Sequence, residues 1–381
     1  MTGPLARSPS LLEGADALAR DPSSAGQWMA AIAQNGPQAH ITNLRSHPML
    51  VRHGDIVLPV LREDGATGDT YVASPHSAYV LYARDEIDIM GLKGAQRWGS
   101  HAALSVLDRW LKAARINRVV HLDNWLLSTS LHGAWNGEGL PAMRQALVER
   151  FDDHIPVVRC VDEWSCPQLM KALRGDGWTL LASRQIWVTD DLARDWKPRS
   201  HVKSDRRAMR RSGLTIETLE TVTLKDAQRI ADLYAQLYLG RYSSLNPVYT
   251  PAFVELAART GLLQYRVARD DQGMIMAVAG MRVAGDIVTV PMLGYDTTRP
   301  QSEALYRIAS LLSSEWALEQ GLRHHGSAGA GTFKSNRGAR SEIEYMALYT
   351  GHLAPSRRAL LKGFAQATQR VMAPTLKAQG W

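Results

Sequence analysis

The residues best suited to chemistry in this chain are three cations that follow a run of small residues. Residues 327–331 read Ser-Ala-Gly-Ala-Gly, and Lys334, Arg337 and Arg340 then recur at every third position. Small residues let a backbone approach a bound group closely, and lysine and arginine bind phosphate and carboxylate groups. The pattern predicts a segment in which Lys334, Asn336 and Arg337 bind an anionic carrier.

A strand and a helix opening precede that segment and must position it. Residues 287–293 are apolar and β-branched, as in a buried strand, and Pro291 within them lacks a backbone N–H. We therefore expect the strand to part from a neighbour at Pro291. After a polar turn, a helix is predicted to open at Gln301 and Ser302 and to end before Gly321. The free N–H groups of a helix opening suit an anion.

A second group of cations lies on a predicted helix upstream. Lys203, Arg206, Arg207 and Arg210 have spacings that place them on or beside one helical face. A solvated surface gives this pattern, and so does a surface that contacts phosphate groups or RNA. Both interpretations stay open, and the hypothesis retained is that these four residues bind an anion or the acceptor substrate.

Two segments resemble the second half of the acyltransferase fold of the GNAT superfamily, in particular its BioF2-like and FemAB-like branch. In that branch, a strand with glycines leads to Phe/Tyr-Lys and a basic loop, as residues 327–340 do here with Phe333-Lys334. The basic residues 201–211 followed by Gly213 and a strand look like the same branch's basic helix. Together, the two resemblances cover roughly residues 196–350.

The resemblance implies that the backbone of a splayed central strand contacts the carrier and the carbonyl of an acyl donor. An amine then attacks that carbonyl, and the protein orients both groups and stabilises the oxyanion. Core packing is the alternative for the apolar residues. The strand residues carried over as donor-binding are Val290, Met292, Leu293 and Gly294.

Proton transfer in such a site needs a carboxylate, a histidine or a tyrosine. The candidates near the predicted site are Tyr295, Asp296 and Tyr306, with Glu344 as a further possibility. Each has a structural alternative: Tyr306 packs on the sheet as a half-buried aromatic, and Asp296 bonds to its own turn.

The composition sets outer bounds on these hypotheses. The chain of 381 residues is 45% hydrophobic and 21% charged, which indicates a globular protein, and its formal charge of +7 favours anionic partners. Cys160 and Cys166 are predicted packing residues, and His324-His325 makes a poor metal site because neighbours on a strand point to opposite faces. No apolar run is long enough for a membrane span, and no secretory signal is evident, so a cytoplasmic location is predicted.

The order of predicted elements indicates an α/β protein with two tandem GNAT-like domains. Each domain is expected to have a central mixed sheet flanked by helices. The predicted boundaries are a loose leader over 1–25, an N-terminal domain over 26–192 and a C-terminal domain over 193–381. Strands are expected at 39–44 and 55–61, and a long C-terminal helix over 356–377.

The function predicted from this reading is an N-acyltransferase that moves an acyl or aminoacyl group from a CoA thioester to an amine of a small molecule or peptide precursor. An aminoacyl-tRNA donor is the alternative that the basic helix favours. A non-catalytic scaffold that binds a nucleotide or RNA is a third, because the family's common Gly-x-Gly/Ala pattern is absent after Leu293. No tightly bound cofactor, metal or DNA partner is expected. The acyl-CoA or aminoacyl-tRNA is a co-substrate.

Overall fold

The computed structural model of the protein describes residues 8–89 and 91–379 and has a mixed α/β fold, as predicted. The described residues contain twelve strands, interspersed with helices. The strands are β1 (Ser10–Glu13), β2 (His47–His53), β3 (Ile56–Asp64), β4 (Arg118–Leu122), β5 (Ile155–Val161), β6 (Thr179–Thr189), β7 (Thr215–Thr218), β8 (Gln264–Arg269), β9 (Ile275–Ala284), β10 (Ile287–Tyr295), β11 (Arg323–His325) and β12 (Arg340–Leu348).

Thirteen α-helices lie within the described residues. They are α1 (Ala15–Ala19), α2 (Ser24–Asn35), α3 (Tyr82–Ile89), α4 (Gly94–Ala113), α5 (Leu140–Arg150), α6 (Pro167–Gly175), α7 (Ser200–Arg211), α8 (Leu224–Arg241), α9 (Pro251–Arg259), α10 (Leu305–Glu319), α11 (Gly331–Ser335), α12 (Pro355–Ala367) and α13 (Ala373–Gln379).

The described chain forms two compact units. The first ends at Ser183 and also takes in Tyr345–Met372, and the second comprises Arg184–Glu344 together with α13. Residues 345–372 therefore belong to the first unit, whereas the sequence placed them in the second domain. The physical reason is that Leu348, near the end of β12, pairs with Val157 of β5.

The first unit has strands in the order β1-β2-β3-β4-β5-β12, with β4 and β5 parallel and the remaining pairs antiparallel. Its interior contains Trp135, Leu147, Leu169 and Val158. The strand predicted over 39–44 is wrong, because that segment begins inside the short 3-10 turn Pro37–Ala39 and β2 begins only at His47.

The leader predicted over 1–25 is only partly described, since residues 1–7 lie outside the described residues. From Ser10 onwards it is not loose, because β1 pairs with β2 from Ser10 opposite Arg52 to Glu13 opposite Met49. The predicted C-terminal helix also differs: α12 ends at Ala367, a wider helical turn follows, and α13 is a separate short helix.

The second unit has strands in the order β6-β11-β10-β9-β8-β7. Only β10 and β11 are parallel neighbours. The α10 helix packs with α7 and the sheet around Val202, Val288 and Ile308. The α8 helix lies on the opposite face of β10, because Gly294 faces α8 while its neighbours Leu293 and Tyr295 face the cluster of α10.

Candidate functional site

The parallel strands β10 and β11 part in the middle of the second unit. Their pairing ends where Thr289 lies opposite His325. From there the chain after β11 follows β6, since the Gly326 N–H donates to the Trp187 carbonyl at 2.7 Å and the Trp187 N–H donates to the Ser327 carbonyl at 3.1 Å. The edge of β10 from residue 290 to 295 therefore has no β11 residue opposite it.

A β-bulge bends β10 at the point of parting. Thr289 pairs with Arg282 of β9, and Met292 pairs with Gly280. An advance of three residues along β10 therefore corresponds to an advance of only two residues along β9. The extra residue falls at Val290 and Pro291. Proline is tolerated at a bulge because its missing N–H costs no ladder bond there. The parting beside Pro291 predicted from the sequence is present.

Beyond the bulge, two backbone N–H groups face the gap. The Asp296 N–H donates to the Met276 carbonyl on β9 at 2.9 Å, and Gly294 lies opposite Val278. Because successive residues of a strand direct their N–H groups to alternate sides, the N–H groups of Leu293 and Tyr295 point away from β9. The parted edge of β10 thus offers two neighbouring donors.

The other predicted strand residues have packing roles. A side chain at Gly294 would meet the backbone of α8, 2.7 Å from the Leu233 carbonyl carbon, so glycine is required there for α8 to lie close to β10. Met292 is fully buried, whereas Val290 and Leu293 are partly exposed and lie against the core of α10.

The turn after β10 is held by side chains of α8. The Arg229 guanidinium binds the Asp296 carboxylate at 2.8 Å, and the Gln236 side-chain oxygen accepts a bond from the Thr297 N–H at 3.1 Å. Asp296 also accepts bonds from the N–H and hydroxyl of Thr298. Burial acts to raise the pKa of Asp296, but the bonds from Thr298 and Arg229 outweigh it and lower the pKa. An ionised, fully bonded carboxylate is a weak proton acceptor, so Asp296 acts as a turn residue.

A chain of aromatic rings extends from the parted edge. The ring centroids of Tyr295 and Tyr306 are 5.8 Å apart, and those of Tyr306 and Phe333 are 4.8 Å apart. Burial, with the nearby phenols of Tyr242 and Tyr295, raises the pKa of Tyr306 to about 12. The hydroxyl of Tyr306 has no hydrogen-bond partner within residues 8–89 and 91–379, and it stays protonated at neutral pH.

The helix after this turn opens later than predicted. Gln301 and Ser302 are exposed and lie in a short 3-10 turn, and α10 begins at Leu305 after Ala304, which has a φ of 57°. No side chain caps the first turn of α10, so its N–H groups keep their capacity to accept an anion. The sequence placed the opening four residues early because the polar Gln-Ser-Glu resembles a helix start.

Lys334 lies on α11 beside the parting. Its ammonium donates to the carbonyls of Ser327 at 3.3 Å and Ala328 at 2.7 Å, and its stem passes over Gly326. Burial, with a smaller effect of Arg184, lowers the pKa of Lys334 to about 7. The Lys334 side chain therefore fixes the backbone of residues 327–331, the glycine-rich loop, through these two bonds. Asn336, two residues on, is exposed.

Arg337 and Arg340 are engaged by carboxylates. The Arg337 guanidinium stacks 3.4 Å from the centroid of Phe333 and binds Asp205 of α7 through two N–H groups. Arg340 pairs with Asp190 at 3.0 Å, and also with Glu342. The predicted row of three anion-binding cations is therefore not assembled, because each faces a different partner.

The cations of α7 divide into paired and unpaired residues. Arg206 pairs with Glu315 of α10 and stacks over Trp196. Lys203, Arg207 and Arg210 are exposed, and none makes an ion pair with a carboxylate in the described part of the chain. These three share one stripe of the helix.

Glu344, the remaining candidate for proton transfer, is buried and accepts two bonds from Arg184, at 2.7 and 3.0 Å. Sequence reasoning missed Arg229 and Gln236, which hold the turn after β10, and Arg241, which binds the Tyr295 hydroxyl. A polar residue on a helix is common, so the sequence did not single out any of the three.

Two glycines just before α5 in the first unit, Gly137 and Gly139, lie in close packing contacts. A side chain at Gly137 would overlap Ala172 of α6, and one at Gly139 would overlap the ring of His53. Trp135 is buried and donates to the Glu138 carbonyl at 3.1 Å. This segment is packed against its own unit.

Within the described residues, no group of three histidine, cysteine or carboxylate residues is arranged to hold a metal ion. Burial lowers the pKa of His324 to about 3 and of His325 to about 4. Cys160 and Cys166 are buried free thiols, and burial raises the pKa of Cys166 to about 12. No helix in the part of the chain described here has the length and apolar character of a membrane span.

Comparison with solved structures gives distant likenesses. The protein is similar to L-PGS from Bacillus licheniformis, with 12% identity, a TM-score of 0.45, and coverage of 60% of this chain and 79% of that one. It is similar to FemX, with 10% identity, a TM-score of 0.42 and coverage of 55% and 77%. A tandem GNAT protein from the clavulanic acid biosynthesis pathway gives 12% identity, a TM-score of 0.39 and coverage of 89% and 98%.

At identities of 10–12% and TM-scores below 0.5, no argument about fold or function rests on these likenesses. No family model matches the sequence, and no curated protein matches it.

Proposed function

We propose that the second unit is an N-acyltransferase that moves an acyl group from a CoA thioester to a primary amine. The observation that supports this proposal is the parting of β10 from β11, which leaves the N–H groups of Leu293 and Tyr295 facing a gap. Backbone donors fixed at a strand edge stabilise the oxyanion of a tetrahedral intermediate, because they need no reorganisation when charge develops.

The chemistry assigns one step to each group. The neutral amine attacks the thioester carbonyl, an N–C bond forms, and the oxyanion accepts bonds from the N–H groups of Leu293 and Tyr295. The C–S bond then breaks, and the departing thiolate takes the proton of the Tyr306 hydroxyl. The amine nitrogen loses its extra proton to solvent, and solvent returns a proton to Tyr306. A pKa of about 12 keeps Tyr306 protonated before the reaction, as a general acid must be.

Donor binding is assigned to the elements around the gap. The uncapped first turn of α10 accepts a phosphate of the carrier, with Gln301 and Ser302 at its entrance. The glycine-rich loop is assigned to the opposite side of the gap from α10. Lys334 supports this loop through its bonds to the carbonyls of Ser327 and Ala328.

The test is release of free thiol from a panel of acyl-CoAs in the presence of primary amines. Tyr306→Phe is expected to lower kcat by about 10²-fold or more, in keeping with the loss of general acid catalysis. Tyr265→Phe is the matched control, because the buried hydroxyl of Tyr265 has no hydrogen-bond partner in the described structure and its loss leaves the site intact. Thiol release that is equal in both variants would remove Tyr306 from the mechanism.

A second candidate function is transfer from an aminoacyl ester of RNA, and the unpaired cations of α7 favour it. Lys203, Arg207 and Arg210 present three charges on one stripe without carboxylate partners in the described residues. Each phosphate contact makes the slope of log K against log salt more negative by roughly 0.7–0.9. Consumption of charged tRNA that falls steeply with salt, and less steeply in an Arg207→Gln/Arg210→Gln variant, would select this donor over acyl-CoA. Absence of turnover with both donors would contradict the transferase.

A further inference from the structure

The end of α8 brings an arginine to the aromatic rings at the parted edge. Arg241 is exposed, and one of its N–H groups donates to the Tyr295 hydroxyl at 2.7 Å. Arg241 has no carboxylate partner in the described part of the chain. A guanidinium has five N–H donors in a planar fork that fits a carboxylate with two parallel bonds. Most of the donors of Arg241 therefore remain available beside the gap.

The rings around Arg241 provide apolar surface. Tyr242, the next residue, is 48% exposed, and its ring centroid is 6.1 Å from that of Tyr238. Tyr295, which accepts the bond from Arg241, has its ring centroid 5.8 Å from that of Tyr306. The exposed ring of Tyr242 and the partly exposed rings of Tyr295 and Tyr306 thus lie near a charged group, and apolar surface with a few polar groups is typical of a site for a small organic ligand.

The charges near these rings select the sign of the ligand. Arg337 and Arg307 share the Asp205 carboxylate, and Asp296 is paired with Arg229. Arg241 has no carboxylate partner in the described structure, so these groups together carry a net positive charge. A ligand that carries only an ammonium group would be repelled, whereas a carboxylate would gain a charge-assisted pair.

We propose that Arg241, Tyr242, Tyr295 and Tyr306 form the acceptor subsite, and that it takes amines with a carboxylate next to an apolar or aromatic group, such as free amino acids. The proposal rests on the proposed function, because it names the acceptor of that same site. Arg241 binds the carboxylate, the rings cover the apolar group, and the amine lies towards the N–H groups of the parted edge. Tyr295 connects the carboxylate-binding arginine with the reacting centre, because its hydroxyl orients Arg241 and its backbone N–H faces the gap.

The first experiment measures binding without turnover. Isothermal titration calorimetry compares L-phenylalanine with L-phenylalaninamide, which differ in the carboxylate. Wild-type protein is expected to bind the acid at least tenfold more tightly than the amide, in keeping with one two-point charge-assisted pair. Arg241→Gln is expected to abolish the difference. Arg259→Gln is the matched control, because Arg259 is exposed at the end of α9 and is expected to leave the difference unchanged.

The second experiment measures kinetics with acetyl-CoA and L-phenylalanine. Arg241→Gln is expected to raise KM for the amino acid at least tenfold and to leave KM for acetyl-CoA unchanged. Tyr295→Phe keeps the ring but removes the bond to Arg241, so it is expected to raise the same KM by a smaller factor.

The outcomes separate this proposal from the transferase itself. Equal affinity of wild type for acid and amide, binding of neither, or a change in KM for acetyl-CoA instead of the amino acid would overturn the carboxylate subsite. Selective binding of the acid with no turnover would retain the subsite and contradict the transferase. Turnover of amides and acids at equal rates would retain the transferase and contradict the subsite.

Discussion

Asp205 and Arg337 are 132 residues apart in the chain and form a buried, two-point ion pair, with nitrogen–oxygen distances of 2.6 and 3.0 Å. Arg307 of α10 binds the same carboxylate at 2.6 Å. One aspartate therefore ties α7 to α10 and to the segment after α11. This pairing explains why Arg337 supports the walls of the candidate site and does not face the gap.

Replacing Asp205 tests how much this pair holds the second unit together. Asp205→Asn leaves two guanidinium groups without their counter-charge, and the loss of one partner of a buried pair costs about 3–5 kcal/mol. The free energy of unfolding from urea titration is the measurement. Asp286→Asn is the control: its pair with Arg323 is formed by a carboxylate whose side chain is 69% exposed, and such pairs contribute about 1 kcal/mol or less. Equal losses in the two variants would contradict the structural role of Asp205.

A side chain at Gly294 is expected to force α8 away from β10. The added Cβ would lie 2.7 Å from the Leu233 carbonyl carbon and 2.8 Å from the Tyr234 nitrogen, both of which are backbone atoms that cannot rotate aside. Overpacking of this kind costs about 1–3 kcal/mol. Gly294→Ala should therefore lower the urea midpoint and reduce any turnover.

The matched control for this change is Gly240→Ala on the same helix. The nearest atom to a Cβ there is 3.9 Å away, and alanine is the better helix former by about 1 kcal/mol. A stabilised Gly240→Ala beside a destabilised Gly294→Ala would locate the cost at the close contact of α8 with β10. No loss of stability in Gly294→Ala would show that the helix is free to move there.

Local elements of the second unit were predictable because they depend on neighbouring residues. The apolar run of β10 and the proline within it indicated a strand that parts, and both features are present. The pairing of Asp205 was not predictable, because its partners lie 102 and 132 residues away and any of several cations satisfied the same charge. Arg241 gave no signal either, since an arginine at the end of a helix is a common surface residue.

Burial of Lys334 predicts a specific dependence of stability on pH. The pKa of Lys334 falls from 10.5 in the unfolded chain to about 7 in the folded protein, so between these values the unfolded state binds more protons. Stability therefore rises as pH increases from about 7 towards 10.5, and the cost of burying the charged form is complete below about 7. Lys334→Met lacks this group, so the difference in unfolding free energy between wild type and variant should change in favour of wild type as pH rises.

Exposed Lys225 on α8 provides the control for this titration. Lys225→Met is expected to leave the pH dependence of stability unchanged, because an exposed ammonium is hydrated in both states. A flat difference between wild type and Lys334→Met over pH 7 to 10 would contradict the burial of the Lys334 ammonium.

A buried carboxyl pair in the first unit should titrate in the opposite sense. Glu63 and Asp69 are 2% and 1% exposed. Burial, opposed by a bond from the Ser46 hydroxyl and reinforced by the charge of Asp69, raises the pKa of Glu63 to about 7. Arg45 binds Asp69, which leaves Glu63 as the partner that retains a proton. The folded state then binds more protons than the unfolded state between pH 4.5 and about 7, so this group lowers stability as pH rises through that window and its cost is complete above it.

Glu63→Gln removes the titrating group and keeps its size and hydrogen-bonding capacity. The variant should gain stability relative to wild type between pH 5 and pH 8, as measured by the urea midpoint at each pH. Glu149→Gln, at an exposed position on α5, is the control and should show no such change. If wild type and Glu63→Gln responded equally to pH, the carboxyl of Glu63 would have to be ionised throughout, and the pair with Asp69 would require a counter-charge beyond Arg45.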